Sequence, residues 1–170
     1  MNVVTHALLP ALMAVPFLPR TDRPAFYRSA GLVALAGALP DLLCPHLSLA
    51  GRYTSWSHTV FAYAGFNLVL LGLALLPRIR ILRRTLLLAS LAWALHLAMD
   101  GISGGIAWLY PFSGEVLGER LVRYYWWFRI DVVLTVIAIA VFWLWPACRR
   151  NRASQPERSA PSEGESERAG

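Results

Sequence analysis

A histidine and an aspartate four residues apart stand near the end of an apolar stretch. His96 and Asp100 close the segment Thr85–Asp100, and a spacing of four places them one turn apart on the same face of a helix. An imidazole and a carboxylate so placed can bind the same metal ion. Because both groups are costly to bury in hydrocarbon, the pair predicts a functional site. The alternative is a hydrogen-bonded pair at a solvated helix end.

Three further potential ligands stand at the ends of other apolar segments. His6 lies at the start of the first segment, Asp41 near the end of the second, and His58 at the opening of the third. Each also has an ordinary interpretation, as an interfacial residue, a helix-end or turn residue, and a first-turn residue beside an N-cap, respectively. His46 is better explained as a loop residue, and Asp131 as a carboxylate favoured at a helix N-terminus.

The composition is that of a membrane protein. Of 170 residues, 56% are hydrophobic and only 15% are charged, which is far more apolar than a soluble domain requires. The basic residues are all arginine and the sequence shows no nucleic-acid-binding module. Cys44 and Cys148 have neither the spacing of a disulfide framework nor that of a zinc knuckle.

Five apolar segments predict an all-α fold that forms a polytopic transmembrane helical bundle. Because the first two segments contain proline, half-insertion into the membrane is the alternative for them. At 1.5 Å per residue, segments of this length reach about 24–27 Å, slightly less than a bilayer core. We predict a membrane domain over 1–147 and, from the polar composition that follows, a disordered cytoplasmic tail over 148–170. The five segments are approximately Val3–Leu18, Ser29–Cys44, Thr59–Leu76, Thr85–Asp100 and Ile130–Pro146.

Arginines are distributed unevenly between alternate connections. Ten lie in the connections that follow the first, third and fifth segments, and four lie in the other two. The positive-inside rule therefore places the C-terminus in the cytoplasm. The potential ligands then share the outer face, and they are His6, Asp41, His58, His96 and Asp100.

Two other groups of residues fall on the predicted outer side. The aromatic run 124–128 comes just before the fifth segment and predicts an interfacial belt, with a platform for a lipid substrate as the alternative. Four arginines either bind a phosphate or extend to the interface as snorkelling residues, which need no further role. They are Arg52, Arg120, Arg123 and Arg129.

Three imidazoles and two carboxylates form a mixed nitrogen and oxygen ligand set that suits zinc, manganese or iron(II). Such a site can support metal-assisted hydrolysis. Two alternatives are a transport or proton-relay path and a metal that serves stability only. A relay requires polar residues through the inner half of the helices, where Asn67 is nearly the only one.

The ordered set of motifs resembles the YdjM-like family of bacterial and archaeal inner-membrane proteins, which are described as membrane-bound metal-dependent hydrolases. The resemblance spans about residues 1–145. The order of ligands is also similar to that of the soluble zinc-dependent phospholipases C. The motifs are Thr5-His6, Leu39-Pro40-Asp41, Ser57-His58-Thr59, His96-xxx-Asp100 and Tyr110-Pro111-Phe112.

The resemblance implies an inner-membrane hydrolase that acts on a phosphoester or other ester of a lipid or membrane-surface substrate. It also implies that Asp41 serves as a general base, and that the segment with Gly104 and Gly105 shapes the rim of the site. Two positions depart from the family pattern, since Leu43 replaces an aspartate and Tyr53 replaces a histidine. Both replacements remove donors to a second metal ion. The implied metal ligands are His6, Asp41, His58, His96 and Asp100.

Overall fold

Helices make up the regular structure of the chain. The computed structural model describes residues 2–19, 23–45, 49–77 and 83–144. These residues contain no strand beyond two isolated bridges, so the all-α prediction is confirmed. The helices are α1 (Val3–Ala14), α2 (Arg23–Leu43), α3 (Leu49–Tyr53), α4 (Val60–Leu75), α5 (Arg83–Ile102) and α6 (Tyr124–Ile139), with 3-10 turns at Val15–Phe17 and Trp56–His58 and a π turn at Ala140–Leu144.

Two helices are long and apolar enough to cross a membrane. They cover Arg83–Ile102 and Tyr125–Trp143. Two more apolar helices, Val3–Phe17 and Val60–Leu75, are shorter. By length and composition, the described part of the chain therefore holds fewer clear spans than the five segments predicted.

Two of the three prolines of the first two segments lie within an α-helix, whereas Pro16 lies in the 3-10 turn that follows the end of α1 at Ala14. Pro10 lies inside α1 and Pro40 lies inside α2. Because proline has no N–H, Pro10 leaves the carbonyl of His6, four residues earlier, without its usual helical donor. That carbonyl lies against α2 at Gly37, so the position that proline weakens is also a place of close helix contact.

The last helix begins earlier than the sequence predicts. It starts at Tyr124 instead of Ile130, so the aromatic run lies within the first turns of α6 and not before it. The run is apolar enough to continue the helix that follows. Asp131 is therefore the eighth residue of α6, and the prediction that it stands at a helix N-terminus is wrong. Its carboxylate instead accepts hydrogen bonds from the side chains of Asn2 and Thr5.

Small residues bring three helices together. Helix α2 packs against both α1 and α5. Small side chains let helix backbones approach closely, which is the usual means of helix association in membranes. A hydrogen bond of 3.1 Å from Thr85 Oγ1 to Ser29 Oγ also joins α5 to α2. The buried small residues of these helices include Ala11, Ala14, Ala30, Ala36, Ala38, Ala89 and Ala92.

The connection from α5 to α6 folds back on the helices. Ile106 forms an antiparallel bridge with Leu117 and is completely buried with Trp93 and Leu97. The carbonyl of Trp108 accepts the backbone N–H of Val60 at 3.0 Å, where α4 begins. This connection therefore holds the start of α4 beside the end of α5.

The described backbone divides into two units, with the boundary between Val136 and Ile137. The described residues of the second unit are the end of α6 and the π turn Ala140–Leu144. The predicted tail over 148–170 lies outside the described residues, as does His46.

We predict that Gly37→Ala destabilises the packing of α1 on α2. A Cβ at this position would meet Cγ of Pro10 at 2.7 Å as well as the carbonyl oxygen of His6. Overpacking of this kind costs about 1–3 kcal/mol. The expected result is a lower midpoint of thermal unfolding for the detergent-solubilised protein, followed by tryptophan fluorescence.

The matched control is Gly31→Ala in the same helix, where an added Cβ meets nothing within 4 Å. Since alanine favours helix by about 0.5–1 kcal/mol over glycine, this variant should be as stable as the native chain or slightly more stable. Equal midpoints for the two variants would contradict the proposed contact.

Candidate metal centre

Five polar side chains meet inside the first unit. His6 comes from α1, Asp41 from α2, His58 from the turn Trp56–His58, and His96 and Asp100 from α5. Asp41 is 8% exposed and the other four are 0% exposed. The structure thus brings together all five residues that the sequence singled out.

The pair on α5 has the geometry that its spacing predicts. Nε2 of His96 lies 3.4 Å from Oδ2 of Asp100, one turn later. Because neither side chain is exposed, the pair is not solvated, and the alternative that it merely hydrogen-bonds stays open beside metal binding. Both groups face the interior of the helix assembly.

The orientation of His96 is set by the backbone of α2. Its Nδ1 lies 2.7 Å from the carbonyl oxygen of Gly37. A carbonyl only accepts, so Nδ1 carries the proton and donates it. The other nitrogen, Nε2, lies 3.8 Å from Oδ1 of Asp41, which stands one turn after Gly37 in the same helix.

Serine hydroxyls orient His58 in the same way. Ser57 Oγ donates to the carbonyl of Pro40 at 2.7 Å, and Ser55 Oγ lies 2.9 Å from Ser57 Oγ and 2.9 Å from Nδ1 of His58. Since each hydroxyl has one proton, all three contacts are satisfied when Ser55 donates to Ser57 and accepts from Nδ1–H of His58. Nε2 of His58 is then the nitrogen that can bind a metal ion.

Four ligand atoms converge on one point. Nε2 of His58 lies 3.1 Å from Nε2 of His96, 3.2 Å from Oδ1 of Asp41 and 3.3 Å from Oδ2 of Asp100. One ligand atom of each residue lies within 4.8 Å of the other three. Two nitrogen lone pairs that face each other beside two carboxylates repel unless a cation lies between them. The group therefore has the donors and the charge to hold a divalent metal.

The same carboxylates affect the protonation of His58. Burial alone lowers the pKa of this imidazole, but its hydrogen bonds to Asp100 and Asp41 outweigh burial and raise the pKa above its ordinary value. The position thus favours positive charge, which a proton or a metal ion can provide.

His6 lies beside the four-residue group and contacts the other oxygen of Asp100. Its Nε2 is 3.1 Å from Oδ1, and its ring centroid is 3.9 Å from that of His96. Direct metal ligation by His6 stays a prediction, because this contact also fits a role in holding the Asp100 carboxylate in place.

Arg52, one of the four arginines that the sequence offered as phosphate-binding or snorkelling residues, lies in the site beside Asp100, a contact that the sequence did not predict. Its side chain is 2% exposed, and Nη1 lies 3.2 Å from Oδ1 of Asp100 and 3.4 Å from Oγ of Ser103. The snorkelling interpretation is therefore wrong for Arg52. The other three arginines of the predicted outer side are exposed, and they are Arg120, Arg123 and Arg129.

An apolar groove is lined by residues close in sequence to two of the site residues, although none of the five site residues lines it. It has a volume of about 490 Å³ and is lined almost entirely by hydrophobic side chains of α2, α4, α5 and the connection to α6. Thr59 lines it directly after His58, and Trp93 lines it one turn before His96. Tyr110 and Pro111 also line it. A volume of this size lies within the range of about 300–1,000 Å³ found for ligand pockets.

Comparison with protein-family models identifies the family of this chain. The model of the YdjM inner membrane protein matches residues 1–160. The chain belongs to the YdjM inner membrane protein family. No curated protein and no solved structure matches the chain. Membership in the YdjM family confirms the prediction of an inner-membrane protein, and the apolar helices agree with it.

For this YdjM family member we predict that metal binding stabilises the fold. An ion at one hundred times its Kd adds about 2.7 kcal/mol, because it binds the folded chain and not the unfolded one. Chelator should therefore lower the unfolding midpoint of the purified protein by several degrees, and added zinc should restore it. Thermal unfolding in detergent with and without chelator measures the difference.

The control variants change one carboxylate or imidazole each. His96→Ala should abolish the metal-dependent shift, whereas Glu115→Gln, which alters an exposed carboxylate outside the site, should retain it. A native chain with the same midpoint under all metal conditions would contradict the prediction.

Proposed function

We propose that the protein is a membrane-bound metal-dependent hydrolase that cleaves an ester of a lipid or another membrane-surface substrate. The observation that carries the proposal is the convergence of two imidazole nitrogens and two carboxylate oxygens in a buried site. An apolar groove lined by the sequence neighbours of His58 and His96 supports it. Nitrogen and oxygen ligands in this combination are typical of zinc, with manganese and iron as other candidates.

The residues of the site have separate roles in the proposed reaction. Asp41, His58, His96 and Asp100 would hold the ion, which when bound would supply a water of lowered pKa and polarise the ester oxygen. Asp41 is the most exposed of the four and is therefore placed to accept the proton of the attacking water as general base. Water oxygen bonds to the ester phosphorus or carbon, the ester bond breaks, and the proton passes from Asp41 to the departing alcohol.

The groove supports a lipid substrate. Its apolar lining suits an acyl chain, and its residues Thr59 and Trp93 adjoin the site at His58 and His96. A lipid would then place its ester at the metal and one chain along α4. Free phosphoesters without a chain would gain nothing from the groove.

The proposal includes a multi-pass topology with the site at the outer face and the C-terminus in the cytoplasm. The arginine distribution supports this orientation. The two shorter apolar helices and α2 would complete five membrane segments. The buried small residues of α1, α2 and α5 provide the close packing that short membrane helices require.

Polar residues elsewhere in the helices form links between helices. Ser90 Oγ donates to Oδ1 of Asn67 at 2.6 Å and lies 3.1 Å from the hydroxyl of Tyr63. These contacts join α4 to α5 and give Asn67 a structural role. A transport or relay function and a structural metal site remain the alternatives that the following experiment separates from hydrolysis.

The test is cleavage of a dioleoyl phospholipid and of its dibutyryl counterpart by the zinc-loaded protein in mixed micelles. The native chain should cleave both. Asp41→Asn should reduce both rates by about 100-fold or more, as expected for loss of a general base. Gly65→Leu should selectively reduce cleavage of the long-chain lipid, because Gly65 lines the groove and an added side chain enters open space.

Gly72→Leu is the matched control for the groove. Gly72 lies two turns further along α4, also in open space, and does not line the groove. This variant should cleave both lipids at the native rates. No cleavage by the zinc-loaded native chain would contradict the hydrolase proposal, and identical rates for the two glycine variants would contradict the role of the groove.

A further inference from the structure

Arg52 differs from the other arginines that the structure describes. Those at the remaining described positions are exposed, whereas Arg52 is 2% exposed. A guanidinium stays charged at all physiological pH values and is rarely buried unless it has a partner. The burial of Arg52 next to the metal ligands therefore requires an explanation.

The contacts of Arg52 account for only part of its hydrogen-bonding capacity. Nη1 faces Oδ1 of Asp100 at 3.2 Å and Oγ of Ser103 at 3.4 Å. Nε is buried and has no hydrogen-bond partner among the described residues. A guanidinium has five N–H donors in a planar fork that matches the oxygens of carboxylates and phosphates. The free Nε–H of Arg52 is a donor available to a bound anion.

The charges of the site favour an anionic ligand. When a divalent ion occupies the site, it balances the two carboxylates of Asp41 and Asp100, and the charge of Arg52 is left without compensation. A neutral carboxylic ester does not supply the missing negative charge. A phosphoester does, and its oxygens are the acceptors that arginine binds most effectively.

We propose that Arg52 is the anion-binding residue of the site and that the ester cleaved there is a phosphoester. The inference rests on the proposed function and narrows its substrate class. Arg52 would donate to a phosphoryl oxygen while it continues to hold Oδ1 of Asp100. The phosphoryl group can belong to a lipid headgroup or to a free phosphate.

The experiment measures the binding of anions to the full chain in detergent after it has been loaded with zinc. Inorganic phosphate and monomeric dihexanoyl phosphatidylglycerol are titrated calorimetrically, and zinc content is determined for each sample. The variants are Arg52→Gln, Arg52→Lys and the control Arg123→Gln, which removes an exposed arginine. Tighter binding of the lipid assigns the site to a headgroup, and tighter binding of phosphate assigns it to a free anion.

Arg52→Gln should retain zinc and weaken anion binding by at least about tenfold, since a hydrogen bond to a charged group is lost. Arg52→Lys should retain zinc and show an intermediate affinity, because lysine keeps the charge without the planar fork. Arg123→Gln should bind as the native chain does.

Native affinity in Arg52→Gln would overturn the inference, as would a native chain that holds zinc but binds neither anion. If Arg52→Gln does not fold, Arg52→Lys decides the question by its affinity. Failure of both variants to fold would assign Arg52 to structure alone and also overturn it. A native chain that takes up no zinc would instead contradict the proposed function itself.

Discussion

The buried carboxylate of Asp100 is the group on which the arrangement of the helices depends. Its Oδ1 faces His6 and Arg52, and its Oδ2 faces His58 and His96. A carboxylate with no exposure persists only if charged or hydrogen-bonding partners surround it. Those partners come from α1, α3, the turn before α4, and α5 itself, so this single charge requires four parts of the chain to be in position together.

Helix α2 supplies the second constraint. The carbonyl of Gly37 orients His96, and the carbonyl of Pro40 orients His58 through Ser57. Both histidines therefore take their direction from the backbone that also carries Asp41. Small residues bring α2 close to α1 and α5. The same helix contacts therefore determine both the packing of the helices and the positions of the ligands.

Much of the site could be predicted from sequence, because helical spacing and topology are local signals. The spacing of His96 and Asp100 predicted that they share one face of α5. The topology placed all five polar residues at the same membrane face, which indicated that they could meet. The burial of Arg52 depends on how the segment after α2 folds back, which no periodicity encodes. Likewise, the role of Ser55 and Ser57 in orienting His58 depends on the carbonyl of Pro40, which only the fold brings beside Ser57.

The fold was predicted less completely. Apolar composition located the helices, but it could not show that α6 starts within an aromatic run or that Asp131 binds Thr5 across a separation of 126 residues. Pro10 and Pro40 did not end their helices, and the carbonyl that Pro10 leaves without a donor lies at the close contact of α1 with α2. In each case, a tertiary contact outweighed the local signal.

The most direct test of a metal centre is the elemental content of the purified protein, measured by mass spectrometry after zinc loading and removal of free metal. We predict about one ion per chain for the native protein and for Glu115→Gln. We predict loss of the ion in His96→Ala and Asp100→Asn. A folded native chain that retains no metal, or variants that retain as much as the native chain, would contradict these predictions.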